Sequence, residues 1–491
     1  MPAYFATSMY AFMGAPLLVI LVLTLAGRKL AEKWALTVGY IVGIIQMLTS
    51  IIAIILLWQY NKASITFSQF WSIQANDGAA YFSADVFSLI ALFCIGMVTF
   101  AAFYTAKTMI GKKAFQFTNL MMVMILGMNG LALVTDLFSL YVFLEITGVS
   151  SYVLISINRD NKGLEGGFKY LIMSAIASAF ILVSLALIFI NTGSLRYEDI
   201  SAISSSWMEL SNPILILVAF VFLICGFSIK SGLVPFHGWL PDAYQSAPAP
   251  VSIMLGGIVT KMVGVYAIIR IVSNLLVESD TVVNTCFMVL ALMSIIYGAV
   301  AAAGQKDFKR LLGYSSISQI GYIILGVSTG NILGYIGAIF HFFNHATFKT
   351  TLFVNSAAVE QQTGLSDITN MGGLHKQMPI TGTSNIIAFL SAVGIPPLAG
   401  FWSKLFIIIA VWQTNGAIIA SIALVASIFT AVYFLRIQKN IFFGPVNEKF
   451  ADIKEAVKGF KLTEIALSVI TIGCGLLFPV LLLLLQAQGI V

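Results

Sequence analysis

The chain has 491 residues, of which 59% are hydrophobic and only 9% charged, with a mean hydropathy of +0.96 and a formal net charge of +6. Soluble domains carry about 25% charged residues, so this composition excludes a soluble enzyme or a nucleic-acid binder and requires a lipid environment. The four cysteines Cys94, Cys225, Cys286 and Cys474 show no CxxC spacing and read as small buried hydrophobes. Phosphate-binding and dinucleotide-binding glycine patterns are absent, so redox or ATP chemistry would have to reside on other chains.

Apolar runs of about 20 residues, the length a helix needs to cross the hydrocarbon, recur from end to end. The alternation that marks a membrane barrel does not. The runs predict helices at 9–27, 35–58, 86–107, 118–136, 138–157, 168–191, 213–232, 250–270, 282–304, 310–328, 331–356, 380–411, 416–440 and 461–486. The opening MPAYFATSMYAFMGAPLL has no basic stretch before its apolar run and reads as a first span, not a cleaved signal. Loop charge tests the count: one set of alternate loops carries 18 Lys and Arg, the other only Lys62, Arg196 and Arg270. Short cytoplasmic loops retain positive charge, so the basic set is expected inside and both termini outside.

Within the spans, charge is costly and therefore informative. Glu145, in LFSLYVFLEITGVSSYVLI, reads as the single mid-membrane acid, every other Asp or Glu being assigned to a loop or a span end. Lys169 opens the sixth span, where it either snorkels to the interface or serves a polar path. Lys230 precedes Ser231, Gly232 and Pro235, which break the seventh helix and free carbonyls beside the charge. Such backbone is tolerated in lipid only against protein or a water-filled cavity. Glu145 is the expected partner of Lys230, because a close pair stabilises both ionised forms. The pair is either a structural bond between helices or a charge-coupled transport element. Lys261 lies inside the eighth span.

The eleventh span, IGAIFHFFNHATFKTTLFVNSAA, sets His341, His345 and Lys349 at i, i+4 and i+8 on one face. HFFNH lacks the glutamate of a zinc HExxH site and a third ligand. A proton relay fits neutral imidazoles, which donate and accept, while satisfied core histidines and a structural or snorkelling Lys349 are the plain alternatives. The twelfth span, FLSAVGIPPLAGFWSKLFIIIA, repeats the design: Gly394, Pro396, Pro397 and Gly400 interrupt it, and Lys404 follows. Two broken spans in corresponding positions of two halves point to an inverted-repeat transporter. The expected segments are 1–117 with spans one to three, 118–280 and 281–440 as two five-helix repeats, and 441–491 with a loop and the last helix.

The stretches LEITGVSSY, FSIKSGLVPFHGWLPDAYQSAPAPVSIMLGGIVTKMVGVY, GQKDFKRLLGYSSISQIGY, FHFFNHATFKTTLF and GIPPLAGFWSKL, in this order, resemble the antiporter-like subunit family shared by complex I, Mrp-type cation/proton antiporters and membrane-bound hydrogenases. The resemblance covers spans four to thirteen. It implies an all-α polytopic membrane protein of about fourteen helices, with two inverted five-helix repeats, broken helices 7 and 12, and half-channels joined by a hydrophilic axis. It matches Glu145 to the family's fifth-helix glutamate, Lys230 to the broken seventh-helix lysine, Lys261 to the eighth-helix lysine and Lys404 to the twelfth-helix lysine. His341 and His345 match polar positions of the eleventh helix, and Lys169 resembles a sixth-helix lysine of the branch formed by the complex I N-type and Mrp D-type subunits.

The implied function is proton translocation by successive charge shifts along these residues and water chains, without a cofactor or a catalytic site in this chain. The implied partners are other membrane subunits, including further antiporter-like and small Mrp-type subunits, the lipid bilayer and, in redox-driven assemblies, a peripheral redox module. The implied location is the cell inner membrane. Because the sequence closes soon after its last span, the long lateral extension of the complex I L-type and Mrp A-type subunits is not expected. The similarity ranks the Mrp D-type subunit first, then the hydrogenase or sulfane reductase subunit, then the complex I N-type subunit. A standalone Na+/H+ or solute transporter and a membrane subunit of an inorganic-carbon uptake complex are the alternative functions. Cationic side chains repel Na+ and exchange H+, so the proton is the expected ion.

Overall fold

In lipid every backbone N–H and C=O must be satisfied within the protein, and the chain meets this with helices. The computed structural model describes residues 10–487 apart from 27, 61, 63, 67–81, 205–212, 276–280, 370 and 446. Positions 1–9 and 488–491, on which the outward placement of the termini rests, lie outside the described residues. The helices are α1 (Ala11–Leu25), α2 (Arg28–Gln59), α3 (Val86–Ala106), α4 (Ala114–Leu133), α5 (Leu137–Ile155), α6 (Asn161–Thr192), α7 (Pro213–Ser231), α8 (249–275), α9 (Thr281–Gly304), α10 (Phe308–Val327) and α11 (Ile332–Thr363). They continue with α12 (Pro379–Val393 and, across a break, 399–415), α13 (417–437) and α14 (Lys458–Ala487), α12 and α13 meeting at a kink at Gly416. Short helices Tyr197–Ser204 and Trp239–Ser246 are connectors, and a two-stranded ribbon pairs Ser64–Thr66 with Ser83–Asp85. The all-α polytopic class and the breaks in helices 7 and 12 are as the sequence predicts.

Boundaries moved where capping side chains were available. Asp160 accepts the Gly163 amide, which starts α6 at Asn161 instead of the predicted 168. α11 runs past 356 to Thr363, where Gly364, at φ 70°, terminates it in the left-handed conformation that glycine adopts without strain. Ten segments among the described residues are long and apolar enough to cross a membrane by themselves. α10 and α11 are not among them, because polar residues interrupt their apolar sequence. Most of α10 and of the middle of α11 is buried by neighbouring helices, which removes the need for a lipophilic surface.

The chain divides into two compact units: Met1–Gly232 with Ser246–Val251 and Ile258–Ser279, and Leu233–Gln245 with Ser252–Gly257 and Asp280–Val491. In the first unit, Asn129 on α4 donates to the Phe12 carbonyl of α1 (2.7 Å), and Gln46 on α2 donates to Asn129 (2.8 Å). In the second, Arg310 pairs with Asp242 and Lys309 with Glu360 (2.7 Å), holding α10 to the short helix Trp239–Ser246 and to the end of α11. Lys309, one of the 18 basic residues counted to the loops, is buried in this pair. The cysteine expectation also needs correction: Cys94 is buried, but Cys286 is exposed, on the apolar outer face of α9.

Arg270 is a further correction. It lies within α8, where its guanidinium grips both carboxylate oxygens of Asp85 at 2.5 Å, donates to Ser88 Oγ at 2.6 Å and to Tyr266 OH at 2.8 Å. Burial alone would raise the Asp85 carboxyl, but the hydrogen bonds and charge of Arg270 hold it below its ordinary value of 3.8. A depressed carboxyl contributes stability that is complete above its unfolded pKa and is lost as pH falls through its folded one. The clamp should therefore hold at every pH above about 4 and weaken only below. Arg270→Ala should cost on the order of 3 kcal/mol, read as a lower melting temperature of the purified complex at neutral pH. An unchanged melting temperature would show that the clamp does not stabilise the unit.

A second packing test is Gly264. A Cβ there would stand 2.6 Å from both the backbone nitrogen and the Cα of Ser231, so α8 lies against α7 with no room for a side chain. Gly264→Ala should cost about 1–3 kcal/mol by pushing the two helices apart. The check is thermal unfolding beside Gly473→Ala, where no atom lies within 4 Å of the added carbon.

Candidate functional site

In the first unit, α7 ends where Gly232 takes φ 70° and Pro235 cannot continue the helix. Lys230, in its last turn, is only 1% exposed. Its ammonium lies 3.1 Å from Glu145 Oε1 on α5, 2.7 Å from Ser174 Oγ and 3.2 Å from Ser178 Oγ on α6. Three acceptors satisfy the three protons of an ammonium group. Ser178 is also 2.5 Å from Glu145 Oε1, so the carboxylate is held by both an ammonium and a hydroxyl. Glu145 itself is 31% exposed, leaving one side of the pair accessible. Ser174 and Ser178 were missed in the sequence; their only signal is an i, i+4 serine pair in SAIASAF.

The freed carbonyls expected beside Lys230 are found instead beside Lys404. In the second unit, α12 stops at Gly394 (φ 94°), Pro396 and Pro397 follow, and helix resumes at Ala399. Lys404 reaches back across this break to the Ala392 and Val393 carbonyls (2.8 and 3.3 Å) and to Ser427 Oγ (3.1 Å). The geometry explains the difference. Lys404 follows its break and can reach the orphan carbonyls of the preceding half-helix, whereas Lys230 precedes its break and has Glu145. The Lys404 ammonium also sits 4.5 Å from the Tyr322 ring centroid.

His341 Nδ1 lies 2.9 Å from Ser403 Oγ, and its Nε2 has no hydrogen-bond partner among the described residues. The His341 and His345 rings are nearly parallel, with centroids 6.3 Å apart. Lys349 is fully buried, donating to the Leu312 carbonyl at 2.9 Å and to Ser315 Oγ, so it does not snorkel. Lys261 is fully buried in the π-helical stretch Lys261–Tyr266, a geometry that recurs at functional sites. Lys169 is not brought into the Glu145 cluster: it is 44% exposed and pairs with Glu165 one turn earlier, at 2.6 Å. Glu464 lies near a span end, as the sequence reading has it, but it is a second acid of the helices and is fully buried on α14. Thr381 of α12 and Asn355 of α11 cover that turn. Among the described residues, no three His, Cys, Asp or Glu side chains gather as a metal centre would require.

A family model described as NADH:quinone oxidoreductase/Mrp antiporter, transmembrane, matches residues 134–430, which include every one of these lysines and histidines and Glu145, but not Glu464. The chain is 36% identical over 319 residues to the N-type subunit of the NADH-quinone oxidoreductase of Desulforudis audaxviator, covering 64% of this chain and 62%, under two thirds, of that protein. It is 33% identical over 357 residues to the D-type subunit of the Na(+)/H(+) antiporter of Alkalihalophilus pseudofirmus, covering 73% of this chain and 70% of the relative. In structure it is similar to a chain of the Mrp complex from Dietzia sp. DQ12-45-1b, with a TM-score of 0.87 and 25% identity over 98% of this chain and 96% of that one.

Proposed function

Because the chain belongs to the NADH:quinone oxidoreductase/Mrp antiporter transmembrane family, we propose that it is a proton-translocating subunit of a multisubunit membrane complex. The observation that carries this reading is the Glu145–Lys230 ion pair at 3.1 Å, made by a buried lysine beside a broken helix. Two of the three acceptors around Lys230 are neutral, so the charge of Glu145 decides how well an ammonium is held there. A proton arriving at Glu145, or a movement of its carboxylate, releases a proton from Lys230 to the next carrier. In the first unit that carrier is Lys261. In the second, His341, His345, Lys349 and Lys404 carry the relay, with His341 Nε2 available to a water molecule. Lys169, paired with Glu165 on an exposed face of α6, is assigned no step in this relay.

The partners are the other membrane subunits of the complex, with any electron-transfer group held by them and none by this chain. The basic loops face the cytoplasm of the inner membrane and both termini face out. Protons, not Na+, pass through this subunit, because its buried path is rich in groups that become cationic.

Lys261→Arg tests the relay directly. Arginine retains charge and length but cannot give up its proton, so proton movement by the intact complex in proteoliposomes should be lost. Movement at the native rate in an assembled variant would mean that position 261 needs only a positive charge.

A further inference from the structure

Glu464 lies two turns into α14 and is fully buried. Thr381 Oγ1, at the start of α12, is 3.2 Å from Glu464 Oε2 and 2.9 Å from Glu455 Oε1. Glu455, half-buried in the loop before α14, is fixed by the Ile380 amide at 2.7 Å and the Ala456 amide at 3.1 Å. The Asn355 amide group of α11 stands 2.9 Å from Glu464 Oε1. No lysine, arginine or histidine pairs with either glutamate among the described residues.

The proton count at Thr381 is decisive. A threonine hydroxyl has one proton and can donate it to one carboxyl only. With both glutamates ionised, its oxygen would face the second carboxylate lone pair to lone pair, in a buried site without a cation, which is unfavourable. One proton on Glu464 resolves the conflict: Glu464 donates to Thr381, and Thr381 donates to Glu455. A separate observation points the same way. Ser468 Oγ, one turn further along α14 on the face of Glu464, and Asn385 Nδ2, one turn after Thr381, are buried with no protein partner among the described residues. Each needs a partner that a water molecule would supply.

We propose that Glu464 is a proton-binding site that exchanges with Glu455 through the Thr381 hydroxyl, a port into the second unit from the side of the basic loops. Transfer breaks the O–H bond of Glu464 as its proton passes to Thr381 Oγ1, while the proton already on Thr381 forms a new O–H bond on Glu455. One proton moves and the hydroxyl keeps one throughout. The groups facing Glu464 are Thr381 from α12, Asn355 from α11 and Glu455, the one charged member of this set, while Ser384 and Asn385 of α12 bond to Asn355 behind it. The second half of α12 meets α14 further along, where Trp402 donates to the Gly475 carbonyl at 3.0 Å. The port rests on the proton reading above for its use, not for its occupancy.

Infrared difference spectroscopy of the whole purified complex at pH 7 tests the occupancy without reference to transport. The native spectrum should contain the C=O band of a buried carboxylic acid, absent from Glu464→Gln and unaffected by sodium. Thr381→Val should keep the band, slow its hydrogen–deuterium exchange and cut proton movement in proteoliposomes. An ionised Glu464 in the native complex would overturn the proposal, as would a band abolished by sodium, which would make the site a cation site. Native exchange and transport in Thr381→Val would remove the port. If Glu464→Gln fails to assemble, the sodium and Thr381→Val arms remain decisive.

Discussion

Lys230→Ala is expected to abolish proton movement by the assembled complex in proteoliposomes, a fall of roughly 100-fold or more if the ammonium acts as an acid–base carrier. The substitution removes a cation that touches a carboxylate and two hydroxyls, so nothing at that position can take up or release a proton. Assembly should survive, because Glu145 is 31% exposed and is not left as a sealed, unpaired charge. Glu145→Gln should give the same loss from the other side of the pair. It keeps an acceptor for Lys230 and Ser178 but removes the charge that tunes the ammonium. Lys62→Ala, on an exposed loop, is the control and should transport normally. Native proton movement in an assembled Lys230→Ala complex would reduce the pair to a helix fastener, and loss of assembly in both variants would say the same.

Replacing Lys404 is expected to have the second largest effect, and here two roles must be separated. The ammonium both occupies the candidate path and satisfies the carbonyls orphaned by the break in α12. Lys404→Ala should stop proton movement and also lower thermal stability by about 1–3 kcal/mol, the usual cost of leaving buried polar groups unmatched. Lys404→Met keeps much of the apolar stem against Tyr322 and removes the charge, so packing loss is limited while transport is still lost. Normal transport by an assembled Lys404→Met complex would show that the lysine serves only as a cap for the broken helix. A loss in both variants with intact assembly would place the charge itself in the path.

The two broken helices look alike in sequence, yet their lysines are satisfied differently. At α7 the partners are side chains from α5 and α6; at α12 they are mainly carbonyls of the same helix. Sequence shows that a lysine adjoins a break. It does not show on which side of the break the acceptors lie, because that depends on the direction in which the half-helix presents its free carbonyls.

The sequence by itself determined that this is a polytopic helical membrane protein with breaks at helices 7 and 12 and a short set of conspicuous charges within its spans. It could do so because lipid forces the backbone into helices of about 20 residues and makes each intramembrane charge expensive enough to stand out. Only the tertiary structure decided which charges meet. Glu145 and Lys230 are 85 positions apart, and Asp85 and Arg270 are 185 apart, so the Arg270 clamp has no local signature. Lys169 and Glu464 make the same point in opposite directions: the first, placed in a span, is exposed, and the second, placed near a span end, is fully buried. Position along a helix gives depth in the membrane, but exposure is set by the helices packed alongside, which no local stretch of sequence contains.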